Sequence, residues 1–162
     1  MLKSEFKVLI TGGGSGGHLS VADGLINTLI NDYNIPNHNI IYVGSDLGME
    51  GEKKGNSLDM RYFKDIDIKK FYIRAGKLQR QISLSSLLLP LRSVLGFVDS
   101  LSILLKEKPT LVISTGGFVS VPVCFAAFLF NRPIYLHEQT AAVGLSNRIV
   151  SIFANKIYVS FK

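Results

Sequence analysis

The sequence has 162 residues, of which 47% are hydrophobic and 19% are charged, and 15 are glycine. This composition excludes disordered, collagen-like and cysteine-scaffold classes, and the length suits one domain with a core of its own. The single cysteine, Cys124, lies in an apolar run and can form no internal disulfide, which favours a reducing, cytoplasmic compartment. Neither a secretory signal nor an uninterrupted apolar stretch of about 18 residues is present in the sequence, so export and a membrane span are not expected.

The chain is basic, with 18 Lys and Arg against 12 Asp and Glu and a formal net charge of +6. Such an excess favours anionic partners. Nucleic acid, acidic lipid and a phosphorylated substrate are all compatible with it, as is an ordinary solvated surface. Much of the excess lies in one part of the chain: Lys53, Lys54, Lys64, Lys69, Lys70, Arg74, Lys77 and Arg80.

Short apolar runs alternate along the chain with segments of helical periodicity. The first pair is a strand over 7–11 and a helix from about residue 19, whose apolar residues recur every 3.6 positions. Strands separated by helices predict right-handed crossovers and a doubly wound, Rossmann-like α/β fold with a parallel sheet. The other predicted elements are a strand at 39–43, a charged helical piece at 49–54, a strand at 66–73, a helix at 88–106, a strand at 111–114, a helix ending at 130, a strand at 133–136, a helix at 144–154 and a strand at 156–160.

A glycine-rich loop, GGGSGGH, follows the first strand and directly precedes a helix. Backbone N–H groups free of Cβ atoms, reinforced by the positive end of a helix, are suited to binding phosphate. A turn needed only for tight packing would explain one or two of these glycines, but five of the positions 12–17 are glycine. The loop lacks the Gly-Lys-Ser/Thr of a P-loop, which excludes that motif.

A dinucleotide-binding module is an alternative interpretation of the same loop. Gly12, Gly14 and Gly17 fit the pattern G-x-G-x-x-G, and Asp46 lies beyond the second strand. The pattern is weak by itself, because Asp46 is displaced from the usual position at the strand end. It also leaves His18 without a role.

Two further polar loops follow later strands of the predicted sheet. One is STGGFVS at 114–120, and the other begins with HEQT at 137–140. Because the carboxyl ends of parallel strands meet at one edge, we expect both loops to lie near the first, and two adjacent glycine bends favour a diphosphate ligand. The ordinary alternatives are that Thr140 caps a helix and that His137 satisfies a backbone group.

His18 is the strongest candidate for a catalytic residue. The dipole at a helix N-terminus disfavours imidazolium and keeps the ring able to accept a proton. A general base beside a diphosphate suits activation of a sugar hydroxyl, whereas it has no obvious role in hydride transfer.

The segments GGGSGGH, STGGFVSVP and LHEQTAAVGLSN, in this order, resemble the amino-terminal half of the MurG glycosyltransferases over essentially the whole chain. The resemblance implies the amino-terminal domain of a GT-B fold and an inverting hexosyltransferase. Such an enzyme moves GlcNAc from UDP-GlcNAc to the muramyl 4-hydroxyl of lipid I, an undecaprenyl-pyrophosphate precursor, and makes lipid II for peptidoglycan and so for cell shape and division. It implies peripheral location at the cytoplasmic face of the bacterial inner membrane, with no nucleic acid and no cofactor. A metal site is not expected, because His18, His38 and His137 lack ligand spacing.

The resemblance also implies roles for individual residues. His18 becomes the catalytic base. Three positions depart from the family: Ser15 replaces Thr, Phe118 replaces Tyr, and Thr140 replaces Asn. The implied acceptor diphosphate site is Gly13, Gly14, Ser15, Gly16, Gly17, Gly116, Gly117, Phe118 and Ser120, and the implied sugar contacts are Ser15, Gly16, Gly17, His137, Glu138, Thr140 and Asn147.

Family members continue into a carboxyl-terminal domain with most of the donor site, so residues 1–162 are expected to form one acceptor-binding domain with UDP-GlcNAc held by the absent domain. The chain alone is then expected to have little or no transferase activity. A membrane-recruiting subunit of a split glycosyltransferase is a further alternative. Lys77 and Arg80, beside Leu84 and Leu87, are expected to rest on anionic lipid.

Overall fold

The computed structural model describes residues 6–46, 55–74 and 89–161. The helical piece predicted at 49–54 and the predicted membrane-facing residues lie outside these ranges; the latter are Lys77, Arg80, Leu84 and Leu87.

A single six-stranded parallel sheet organises the described chain, with the strand order β3-β2-β1-β4-β5-β6. The predicted doubly wound α/β fold is therefore confirmed. The strands are β1 (Val8–Gly12), β2 (Ile40–Ser45), β3 (Lys69–Ile73), β4 (Leu111–Gly116), β5 (Ile134–Glu138) and β6 (Lys156–Val159). The helices are α1 (Gly16–Asn31), α2 (Leu58–Tyr62), α3 (Leu89–Glu107), α4 (Ser120–Leu129) and α5 (Leu145–Val150), with a short 3-10 turn at Asn37–Asn39.

The central strands are covered on both faces, which explains their nearly continuous apolar sequences. Every residue of β1 and β2 is buried. Side chains alternate between two cores: Leu9 and Val43 pack with residues of α3 and α4, while Ile10 and Tyr42 pack with residues of α1. No helix within the described ranges combines the length and the apolar character needed to cross a membrane.

The chain reverses its direction of sheet growth at β1, which pairs with β2 on one side and with β4 on the other. Such a switch point opens a crevice at the carboxyl ends of the two neighbouring strands, because the following loops leave toward opposite faces. The loops after β1, β4 and β5 all emerge at this edge. The three polar segments of the sequence are thus brought to one place.

Two local differences from the sequence expectation bear on that edge. Helix α1 begins at Gly16 and not near residue 19, so its first two residues are glycines. Helix α2 was not predicted, since its five residues are too few to show a helical period. Its start is defined by Ser57, whose hydroxyl accepts a hydrogen bond from the Met60 N–H.

Tyr42 ties β2 to the end of β1. Its side chain is fully buried, and its hydroxyl donates a 2.5 Å hydrogen bond to the Gly12 carbonyl. Burial, together with the nearby Asp59 carboxylate, raises the pKa of Tyr42 well above its usual value, so the phenol keeps the hydrogen that it donates. This hydrogen bond therefore fixes Gly12, the first glycine of the loop.

Replacing this phenol tests the anchoring role. Tyr42→Phe removes one buried hydrogen bond without opening a cavity, and we expect the free energy of unfolding to fall by about 1 kcal/mol. Urea denaturation followed by circular dichroism measures the change. Tyr33→Phe is the matched control, because Tyr33 is 62% exposed, and it should shift the value by less than about 0.5 kcal/mol. Equal stability of both variants would contradict the assignment.

Candidate functional site

The two glycine bends touch each other. The Gly13 N–H donates a 3.2 Å hydrogen bond to the Gly116 carbonyl. Gly117, at φ +86°, packs so closely that a Cβ there would lie 2.3 Å from the Gly13 carbonyl oxygen. Only glycine combines that backbone angle with that approach. The loops after β1 and β4 therefore form one continuous main-chain surface.

Asp59, in the first turn of α2, is hydrogen-bonded to the first glycine bend, in the loop after β1. Its two carboxylate oxygens accept hydrogen bonds from the Gly14 N–H at 2.9 Å and the Ser45 N–H at 2.8 Å. The side chain is only 1% exposed, and a Cβ on Gly13 would lie 2.1 Å from Oδ2. Burial raises the pKa of Asp59 above its usual value, although the two hydrogen bonds oppose that shift.

Sequence reasoning missed Asp59. A Ser two residues before an acid is a signal for the start of a helix, and Ser57 and Asp59 fit it. That signal does not reveal a contact with a loop 45 residues earlier in the chain. The contact between Asp59 and Gly14 is apparent only in the folded structure.

These contacts decide which N–H groups of the first loop are available to a ligand. Those of Gly13 and Gly14 are engaged within the protein. The first N–H groups of a helix have no acceptor inside it, and Gly16 and Gly17 present theirs from exposed positions at the start of α1. Ser15 is also exposed and forms no side-chain cap. Within this loop, the N–H groups left available to a ligand are consequently those of Gly16 and Gly17, beside the exposed Ser15.

His18 faces the second bend. Its Nδ1 lies 2.6 Å from the Thr115 carbonyl oxygen, and the Thr115 hydroxyl donates in return to the His18 carbonyl at 3.1 Å. The side-chain amide of Gln139, from the third loop, contacts the same Nδ1. His18 is half-buried, so its ring is packed on one side without being sealed from solvent.

The third loop is organised around Glu138, at the end of β5. This carboxylate is 4% exposed and accepts hydrogen bonds from the Thr140 N–H, the Thr140 hydroxyl and the Asn147 side chain, at 2.9, 2.6 and 2.8 Å. Burial by itself raises the pKa of Glu138, but these donors and the Gly144 N–H outweigh it, and the pKa is lowered. Glu138 and Thr140 thus shape the loop, and both oxygens of the carboxylate are occupied.

Asn147 extends that network to the glycine bends. It is 1% exposed, and its Oδ1 is buried with no hydrogen-bond partner in the described part of the chain. That oxygen lies 2.8 Å from the point that a Cβ on Gly116 would occupy, and Cε1 of His18 lies 2.7 Å from the same point. Residues from all three loops therefore converge at Gly116.

Two of the residues that the resemblance implied form side-chain contacts within the protein. Ser120 is fully buried, and its hydroxyl donates to the Gly116 carbonyl at 2.9 Å, which leaves no hydrogen for a phosphate. His137 places Nε2 3.3 Å from the Ser160 hydroxyl, near the end of β6. Phe118, half-buried, follows Gly117 in the second bend.

Asp46, which a dinucleotide site would require, is 8% exposed at the end of β2, where its N–H donates to the Ile73 carbonyl. Within 6–46, 55–74 and 89–161, no three His, Cys, Asp or Glu side chains are grouped so as to hold a metal ion.

The Glu138 network predicts a pH-dependent stability. A carboxylate whose pKa is lowered by folding contributes stability above its usual value of 4.5, and this contribution is lost as the pH falls through the folded value. At pH 7 we expect Glu138→Gln to lower the free energy of unfolding by about 1 to 3 kcal/mol. The difference from wild type should shrink steadily below pH 4.5, as measured by urea denaturation.

The matched control for that measurement is Asp65→Asn, at an exposed position. It should change stability at pH 7 by less than about 0.5 kcal/mol. A Glu138→Gln difference that stays constant down to pH 3, or grows there, would show that the carboxylate charge is not what the network stabilises.

Comparison with known proteins places this arrangement in a family. A model of the glycosyltransferase family 28 N-terminal domain matches residues 8–159. A UDP-N-acetylglucosamine--N-acetylmuramyl-(pentapeptide) pyrophosphoryl-undecaprenol N-acetylglucosamine transferase from Staphylococcus aureus (strain MRSA252) is 40% identical over 156 residues, 96% of this chain and 41% of that protein. The chain thus spans about two fifths of the length of the curated relatives that it matches.

Solved structures agree on the fold. The crystal structure of MurG from Acinetobacter baumannii superposes with a TM-score of 0.74 at 20% identity, over 97% of this chain and 42% of that one. A putative UDP-N-acetylglucosamine 2-epimerase from Listeria monocytogenes gives a TM-score of 0.61 at 11% identity, over 96% and 39% of the respective chains. Because the family model covers nearly the whole described chain, the protein belongs to glycosyltransferase family 28 and contains its N-terminal domain.

Proposed function

We propose that this chain binds a pyrophosphate-linked muramyl acceptor, lipid I, and supplies the general base for transfer of GlcNAc to it. The observation that supports this most strongly is the direct contact between the two glycine bends, with His18 at their junction. One surface then offers N–H groups for an anion and an imidazole for a hydroxyl a short distance away. The 40% identity to a transferase named for that reaction supports the same substrate.

The diphosphate would lie against the start of α1. The N–H groups of Gly16 and Gly17 and the hydroxyl of Ser15 are donors at an exposed position. The positive end of the helix dipole attracts negative charge at that point. The net charge of +6 favours the approach of an anionic substrate.

His18 would act on the acceptor sugar. Its Nδ1 meets a carbonyl oxygen, so the hydrogen is on Nδ1 and the lone pair is on Nε2. Nε2 takes the proton of the muramyl 4-hydroxyl as that oxygen forms a bond to the anomeric carbon of GlcNAc. The bond from that carbon to the UDP phosphate oxygen breaks, and UDP leaves with the electron pair. Attack from the opposite face inverts the anomeric centre.

The donor nucleotide sugar would be held by the part of the relatives that this chain does not span, since the match covers 41% of the S. aureus protein. The complete reaction thus requires that second part. In this proposal, residues 1–162 form the acceptor half of the site.

The N–H surface can be tested with two identical substitutions in one helix. Neither Gly17 nor Gly24 has an atom within 4 Å of the position of an added Cβ, so Gly17→Ala and Gly24→Ala are both expected to leave the fold intact. Alanine in α1 should raise stability by up to about 1 kcal/mol in each variant. Only Gly17→Ala places a methyl group where the diphosphate would bind.

The measurement is calorimetric titration with a short-chain prenyl-pyrophosphoryl N-acetylmuramyl pentapeptide. We expect wild type and Gly24→Ala to bind alike and Gly17→Ala to bind at least about tenfold more weakly, the effect of losing about 1.4 kcal/mol of phosphate contacts. No binding by wild type, or equal binding by Gly17→Ala, would overturn the proposal. Saturable binding of NAD in place of the muramyl compound would favour a dinucleotide site.

We also propose peripheral attachment to the cytoplasmic face of the bacterial inner membrane through the basic and apolar segment that contains Lys77, Arg80, Leu84 and Leu87. Clustered Lys and Arg near leucines favour anionic lipid surfaces, at about 1 kcal/mol per cation. The sequence pattern alone supports this attachment.

Flotation on vesicles tests the attachment. Lys77→Glu combined with Arg80→Glu should lower binding to phosphatidylglycerol vesicles by about tenfold or more. The control, Lys64→Glu with Lys106→Glu, makes the same change in net charge at two exposed positions and should bind nearly as wild type. Equal flotation with neutral phosphatidylcholine vesicles would count against electrostatic attachment.

A further inference from the structure

We infer that Gln139 is a positioning residue for His18, whose side-chain oxygen, together with the Thr115 carbonyl, keeps the hydrogen on Nδ1 and leaves Nε2 as the proton acceptor. The inference rests on the proposed function, in which His18 is the base. Gln139 is distant in sequence, 121 residues from His18, and no ligand contact is needed for its role.

The contacts of His18 Nδ1 determine which ring nitrogen carries the hydrogen. Two groups meet Nδ1: the Thr115 carbonyl oxygen at 2.6 Å and the amide of Gln139. A carbonyl oxygen can only accept a hydrogen bond. If Nδ1 carried the lone pair, two lone pairs would face each other at that distance. Nδ1 therefore carries the hydrogen in the neutral ring.

The contacts of the Gln139 amide determine which of its two polar atoms faces Nδ1. With its nitrogen toward Nδ1, two donors would oppose each other, and Oε1 would remain buried with no partner in the described part of the chain. A half-turn of the amide exchanges oxygen and nitrogen at almost no change in shape. The oxygen then shares the Nδ1–H with the Thr115 carbonyl, so no donor faces another donor, and the amide nitrogen takes the buried position that the oxygen leaves.

Gln139 is held in place by the residues on either side of it. It is preceded by Glu138 and followed by Thr140, and these two residues are joined by hydrogen bonds at 2.9 and 2.6 Å. The backbone on both sides is therefore fixed. An amide oxygen also differs from a carboxylate, because it fixes the tautomer without adding a charge that would stabilise imidazolium. Gln139 therefore orients the ring without placing a charge beside it.

The experiment reads the tautomer directly on the 162-residue chain. Two-bond ¹H–¹⁵N correlation spectra at about pH 9, where histidine is neutral, distinguish the nitrogen that carries hydrogen from the bare one. We expect His18 of the wild type to be in the Nδ1–H form. Exposed His38 serves as an internal control, and it should show the Nε2–H form that water favours in every variant.

Two variants separate the oxygen of Gln139 from its bulk. Gln139→Met keeps the length of the side chain but removes the acceptor, and the ratio of Nδ1–H to Nε2–H at His18 should fall by about five- to tenfold, the effect of one ordinary hydrogen bond. Gln139→Glu keeps an acceptor and cannot donate, so it should retain the Nδ1–H form. The amide spectrum of each variant confirms that it is folded.

Three results would each overturn the inference: Nε2–H at His18 in wild type, loss of Nδ1–H in Gln139→Glu, or an unchanged ratio in Gln139→Met. These results are independent of the titration with the muramyl compound. A chain with the expected tautomer that binds no such compound would refute the proposed function and leave the role of Gln139 in orienting the ring intact.

Discussion

The close contact between the main chains of the two glycine bends is the constraint on which the site depends. The hydrogen bond from Gly13 to Gly116 and the packing of Gly117 on the Gly13 carbonyl join the ends of β1 and β4. Helices α1 and α4 begin shortly after the two bends, and His18 meets Thr115 beside the junction. A single Cβ at the contact would push the two loops apart, and the N–H surface and the imidazole would no longer share one crevice.

Beneath this surface lie two buried carboxylates that face the protein and not the cleft. Asp59 accepts from the Gly14 N–H in the loop after β1 and from the Ser45 N–H at the end of β2, and Glu138 accepts from Thr140 in the third loop and from Asn147 in α5. Burying a carboxylate is costly unless its oxygens are hydrogen-bonded, and both are. The carboxylates hold the loops in place, so the outer surface can consist of neutral N–H groups and an imidazole, which suits an anionic ligand.

Much of the fold was predictable from sequence, because periodicity reports which faces of an element are buried. The alternation of apolar strands with helical segments predicted the order of elements along the chain and a parallel sheet, and β1 and β2 are buried along their whole lengths. The exceptions have local causes. Helix α2 is too short to show a period, and α1 begins with two glycines, which sequence rules assign to loops.

The three loops and the candidate base could be identified from short stretches of sequence, since glycine runs after strands and a histidine before a helix have chemical meaning at short range. The contacts of those groups depend on the tertiary structure. The partners of Gly14 and His18 are Asp59, Thr115 and Gln139, which lie 45, 97 and 121 residues away along the chain. One of these partners is a backbone carbonyl, which every residue possesses and no sequence pattern marks. Such contacts arise only when the sheet brings the strand ends together.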